Sequence, residues 1–79
     1  MPTFLKKITA QELARCDGRG GNPAYVAFEG LVYDVTGSFL WNNGLHQGYL
    51  RAGRDLTEQM KLAPHGREVL DRFRVAGKL

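Results

Sequence analysis

The sequence predicts a small α+β domain in which a short sheet, built around a hairpin, has its helices gathered at one end. Two runs rich in aromatic and β-branched residues, Ala24 to Phe28 and Leu31 to Val35, are separated only by Glu29-Gly30. A capping-box spacing, Thr or Asp followed three residues later by Glu, occurs at Thr9 and again at Asp55. Beyond Thr36 the chain is broken repeatedly by Gly, Asn and Pro, which leaves room for short helices only. With 79 residues, one domain spanning 1–79 is expected, with a large surface for its interior.

Taken in order, Phe4 to Ile8 alternates loosely, as an edge strand does, and Thr9 to Arg15 follows as a short helix opened by Thr9 and Glu12. Cys16 to Pro23 holds three glycines, an aspartate, an asparagine and a proline, so the helix must stop there. In the hairpin that follows, glycine at the second loop position predicts a type I turn with a glycine bulge. Phe39-Leu40-Trp41 forms an apolar cluster broken by Asn42-Asn43-Gly44, which predicts a short helix ending in a turn around His46. Asp55 and Glu58 open a helix to about Leu62, with Leu56 and Met60 on one face; Pro64-His65-Gly66 ends it. A last helix is predicted from Arg67 to Phe73, with Val69, Leu70 and Phe73 on one side, and then an extended tail to Leu79.

Composition narrows the function classes. The amino terminus lacks the apolar run of a secretory signal, and no stretch approaches the roughly 20 apolar residues of a transmembrane helix. A cytoplasmic monomer without a membrane anchor is expected. Eleven Lys and Arg against 8 Asp and Glu give +3, but the cations are scattered among acids, unlike the clustered patches of nucleic-acid binders. The single cysteine, Cys16, excludes an internal disulfide. A zinc site built from Cys16, His46, His65 and a carboxylate lacks the close paired spacings such sites use. Cys16 as a nucleophile has no recognisable base partner, so no enzymatic activity is expected.

The two histidines, His46 and His65, each occupy a Gly- or Pro-marked turn beside a short helix with an apolar face. Those turns could form opposite walls of one cleft. A histidine in a turn also suits an exposed polar residue. Phe39, Leu40, Trp41, Leu45, Tyr49, Leu56, Met60, Leu62, Leu70 and Phe73 precede or flank the two positions, and could line a flat pocket or simply fill a core.

Larger patterns separate these readings. The run Val32-Tyr33-Asp34-Val35-Thr36, followed by Phe39-Leu40 and a glycine-containing turn with His46, resembles the first haem-ligand segment of the cytochrome b5 family. Ala52-Gly53-Arg54-Asp55-Leu56-Thr57 resembles that family's Ala-Gly-x-Asp-x-Thr helix start, and His65 follows at the family's distance. Lys7-Ile8-Thr9, Glu12-Leu13 and the hairpin agree as well, so the resemblance spans essentially the whole chain. The sequence departs from the family where His-Pro-Gly-Gly is replaced by His46-Gln47-Gly48, where the stretch to Ala52-Gly53 is shorter, and where the second-ligand turn is compressed.

The resemblance implies a cytochrome b5-like fold with a small mixed sheet and short helices forming a haem cleft at one end. It also implies haem b (iron protoporphyrin IX) with His46 and His65 as metal ligands, and the ten apolar residues above as its lining. The absence of Cys-x-x-Cys-His excludes thioether attachment, so packing and ligation alone must hold the haem. Two axial imidazoles leave no open iron site, which makes one-electron transfer the natural task. Arg51, Arg54, Tyr49, Lys61 and Arg67 are candidates for the propionates; if several ring the haem edge, an acidic redox partner is favoured. The alternative is a haem-, steroid- or apolar-ligand-binding module for sensing or delivery, as in relatives that use tyrosine, with Tyr33 and Tyr49 available.

Overall fold

The computed structural model of the protein describes residues 5–38, 45–46, 50–61 and 70–79, and at 45, 46 and 50 it describes the backbone. In chain order the elements are α1 (Ala10–Arg15), β1 (Tyr25–Phe28), β2 (Leu31–Asp34), β3 (Leu45–His46), β4 (Leu50–Arg51), α2 (Thr57–Lys61) and β5 (Arg74–Lys78). No helix among the described residues is long and apolar enough to cross a membrane.

The capping box predicted at Thr9 forms in full. Glu12 N–H donates to Thr9 Oγ1 at 3.1 Å, and Thr9 N–H donates to Glu12 Oε1 at 3.3 Å, satisfying two donors that a helix start leaves free. The segment before it is not an edge strand over its described residues. Lys7 makes only an isolated parallel bridge to Lys78, with Ile8 N–H donating to Lys78 O at 2.8 Å and Lys78 N–H donating to Lys6 O at 2.9 Å. Phe4 lies outside the described residues.

β1 and β2 pair antiparallel with Phe28 opposite Leu31, leaving a loop of just Glu29 and Gly30. Both have positive φ, 50° and 84°. This is the signature of a type I′ turn and corrects the bulged type I turn expected from the sequence. The reason is strand twist. A two-residue loop must match the right-handed twist of its flanks, and type I′ does so even when a non-glycine residue has to adopt the left-handed conformation.

The extended tail becomes β5, antiparallel to β2, so the sheet order is β1-β2-β5. Val32 faces Gly77 and Tyr33 faces Val75, which leaves Ala76 as the extra residue of a bulge. Alternation along the strands sends Val26, Phe28 and Tyr33 to one face, with Ala24, Val35, Ala52, Leu56, Met60 and Leu70. Ala27 and Val32 go to the other, with Ile8 and Leu13. A sheet covered on both faces accounts for the nearly continuous apolar reading of β1.

In the second half, the short helix expected near His46 is replaced, where it is described, by an extended pair: β3 opposite β4, with Leu45 facing Arg51 and His46 facing Leu50. Residues 39–44 of that predicted element lie outside the described residues. The helix expected from Asp55 begins at Thr57 instead, because Asp55 Oδ1 accepts from Thr57 N–H (3.0 Å) and Thr57 Oγ1 (2.6 Å) in an Asx-type turn. Glu58 pairs with Lys61 at 3.1 Å. Of the predicted last helix, the described part is a turn closed by Phe73 N–H donating to Leu70 O at 2.9 Å; residues 67–69 lie outside the described residues.

Candidate functional site

The Val32-to-Thr36 run is the stem from which the helical half departs, and its polar residues lock it to both neighbouring strands. Asp34 Oδ1 accepts Thr36 N–H at 2.9 Å, and Asp34 Oδ2 accepts Arg74 Nη2 at 3.1 Å. Thr36 Oγ1 accepts Ala24 N–H at 2.9 Å, while Val35 N–H donates to Ala24 O at 2.8 Å. Burial pushes the Asp34 carboxyl up, but the hydrogen bonds from Thr36 and Arg74 outweigh it and hold the group below its ordinary value. The chain therefore leaves the sheet toward Ser38 from a fixed point.

It returns through β4 into a segment laid along the free edge of β1. Gly53 N–H donates to Tyr25 O (2.6 Å), Ala27 N–H donates to Arg54 O (3.0 Å), and Leu56 N–H donates to Ala27 O (2.7 Å). With the Lys7–Lys78 bridge, the Ala27–Asp55 bridge supplies the parallel character of an otherwise antiparallel sheet. Gly53 is required here. Its φ is +88°, and a Cβ would come within 3.3 Å of Leu13 O, Ala14 O and Asp17 Cβ. This close approach fixes β4 relative to α1 and, through the β3–β4 pairing, sets the backbone position of His46.

The predicted lining residues divide as follows. Leu56, Met60 and Leu70 are 2%, 2% and 0% exposed and sit together in the larger apolar cluster, with Phe73 half-buried against it. Leu45 and His46 lie on β3, where the description is of the backbone. Phe39, Leu40, Trp41, Tyr49, Leu62 and His65 lie outside the described residues. His65 falls in the stretch between Met60 and Leu70, two buried members of the same cluster. Tyr33 is buried in that cluster too.

Of the predicted propionate partners, Lys61 is paired with Glu58, and Arg67, like Tyr49, lies outside the described residues. Arg51 and Arg54 line an open cleft of about 530 Å³ beside α1, joined by Ala14, Asp17 and Arg19. Arg19 and Asp17 carry no local sequence signal for this site; only the seating of Gly53 against the end of α1 brings them to it.

The donor set fits an iron macrocycle. The chain has two imidazoles, enough for two axial positions. Among the described residues no three His, Cys, Asp or Glu side chains gather as a metal cluster. Cys16 follows α1, and burial first, then nearby carboxylates, push its thiol up, away from the thiolate a metal ligand needs.

Comparison with known proteins places these features in context. Residues 9–78 match the family model described as Cytochrome b5-like Heme/Steroid binding domain. Similar solved structures include a cytochrome b5 domain protein from Hadesarchaea, 51% identical with a TM-score of 0.86, the match covering 100% of this chain and 99% of that one. Another is a cytochrome b5 domain protein of Methanococcoides burtonii, 46% identical with a TM-score of 0.89, covering 94% of this chain and 96% of that one. No curated protein matches.

Proposed function

The chain belongs to the cytochrome b5-like haem/steroid-binding domain family and has its fold, and from that premise we propose that it holds one non-covalent haem b between His46 and His65 and serves as a one-electron carrier. The observation that carries this reading is a family match that runs through both histidines, the chain's only two imidazoles. We read residues 1–79 as one such domain, of which the family match covers 9–78.

When bound, the haem supplies an iron that takes up and releases one electron. His46 and His65 would hold that iron as neutral donors and would together exclude an external ligand. Leu56, Met60, Leu70 and Phe73, with Phe39, Leu40, Trp41, Leu45, Tyr49 and Leu62, would keep water from the ring and lower the local dielectric. The hydrogen bonds that pin residues 53–56 to β1 would keep the His46 ribbon in one place. No step of bond making is asked of any side chain, which fits a carrier and not an enzyme.

The test is spectroscopic. The haem-loaded chain should give low-spin oxidised and reduced spectra, with the reduced form indifferent to carbon monoxide. His46→Ala and His65→Ala should each abolish the low-spin signature. An unchanged spectrum in either variant would remove that residue, and ready carbon monoxide binding would favour a module that binds haem or an apolar molecule without electron traffic, with Tyr33 or Tyr49 as the candidate iron ligand.

A further inference from the structure

We propose that the cleft between the end of α1 and the segment following β4 is a docking site for a carboxylate-rich surface of a partner protein, with Arg19, Arg51 and Arg54 as its recognition groups. The partner's role as electron donor or acceptor rests on the reading above; the docking itself does not.

Three guanidinium groups and one carboxylate, Asp17, line this cleft. None of the three arginines is in an ion pair among the described residues, where the pairs are Lys6–Glu12, Lys61–Glu58 and Arg74–Asp34. Asp17, held ionised beside Arg19, offsets one of the three positive charges and leaves an excess of two. Its Oδ1 is engaged by Arg19 N–H at 3.0 Å and by Asn22 Nδ2 at 3.4 Å, bonds that hold the carboxyl ionised as a fixed part of the loop. Cations from two distant stretches of chain line one cleft because Gly53 seats one stretch on the other. Their net positive charge favours an anionic partner.

The form of the anion follows from where the backbone donors go. A phosphate cradle needs free N–H groups converging on one point. Here Gly18 N–H donates to Pro23 O, Arg19 N–H to Asp17 and Gly53 N–H to Tyr25 O. Exposed, long side chains are spread around an open mouth with one acid among them. That pattern complements several carboxylates on a protein surface and is poorly suited to one compact dianion. Position adds a consequence: Arg51 faces Leu45 across the ribbon, next to the His46–Leu50 pair. A partner docked here stands beside the strand proposed to carry an iron ligand.

The experiment titrates the isotope-labelled full chain, with and without haem, with poly-L-glutamate and separately with inorganic pyrophosphate, following amide shifts at low and at physiological salt. Poly-L-glutamate should shift residues around 17–21 and 50–55 in both forms of the chain, and should bind several-fold more weakly at the higher salt. Reversing Arg19, Arg51 and Arg54 to Glu should weaken binding at least tenfold. Reversing Lys7, Arg72 and Lys78, which changes net charge equally elsewhere, should weaken it less than threefold. Neutralising Arg19, Arg51 and Arg54 to Gln gives a gentler second set, and dispersed amide spectra verify that each variant is folded. Equal losses in the two reversed sets, or shifts spread over all basic residues, would overturn the site. Pyrophosphate binding at the cleft more tightly than poly-L-glutamate would also overturn it, in favour of a phosphate ligand. Because the haem-free chain is included, failure of histidine ligation leaves this result readable.

Discussion

At the scale of single residues, two glycines do different work. Gly53 is needed for its left-handed backbone and its contact with α1; Gly53→Ala should cost about 1–2 kcal/mol, the usual penalty for an L-residue in that conformation. Gly77 lacks that conformation, but a Cβ would collide with Lys6 O and lie 2.8 Å from Ile8 Cδ1. Gly77→Ala should cost about 3 kcal/mol, near the upper end for overpacking, because backbone must move. Urea denaturation of both variants checks the order. Asp34 supplies a pH signature. Its folded-state value is depressed below 3.8, so its stabilisation is present above that value and is lost as pH falls through the folded value. Asp34→Asn should be less stable by about 1 kcal/mol at neutral pH, since one partner, Arg74, is 78% exposed and the bond is solvent-screened. Melting curves from about pH 6 to about pH 2 should show that gap closing as acid is added. None of these partnerships is legible locally: Asp34 and Arg74, or Gly77 and Lys6, lie far apart along the chain.

At the scale of elements, the most informative contact joins the hairpin to the second helix. Thr57 Oγ1 accepts Glu29 N–H at 2.8 Å while donating to Asp55 Oδ1 at 2.6 Å. One hydroxyl therefore ties the strained turn to the start of α2. Thr57→Ala should destabilise by about 1–2 kcal/mol, as the loss of a helix-start residue does, whereas Thr57→Ser should recover most of it. Thermal melts of the two variants decide between hydroxyl and methyl. The Asp55–Glu58 spacing marks the region of this helix start but places it too early and misstates its chemistry, because Thr57 engages the same carboxylate. The apolar cluster before His46 reads as helical by composition, whereas His46 itself is drawn into a strand by its pairing with Leu50.

At the scale of the molecule, the sheet divides the chain into two halves of unequal self-sufficiency. The smaller cluster, Ile8, Leu13, Ala27 and Val32, is closed by the amino-terminal segment, α1, the hairpin and β5, whereas the larger depends on Leu56, Met60 and Leu70 returning from the half that bears both histidines. A ligand that binds only the folded state stabilises by mass action, about 2.7 kcal/mol at a hundredfold excess over Kd. Haem should therefore increase amide-exchange protection most in residues 50–61 and 70–73, leaving β1 and β2 little changed. Equal protection of that half in the two forms would count against the haem reading.

The sequence by itself determined the α+β class, the hairpin, the cap at Thr9 and the family pattern, because each depends on neighbours a few residues apart or on a motif read in line. Only the tertiary structure decided the type I′ turn, the recruitment of the tail as β5, the covering of β1 by residues 53–56 and the meeting of Arg19 with Arg51 and Arg54. These depend on strand twist, on edge hydrogen bonds that must find a partner and on the absence of a side chain at Gly53. The last two are conditions set by residues remote in sequence, and no local pattern of the chain records them.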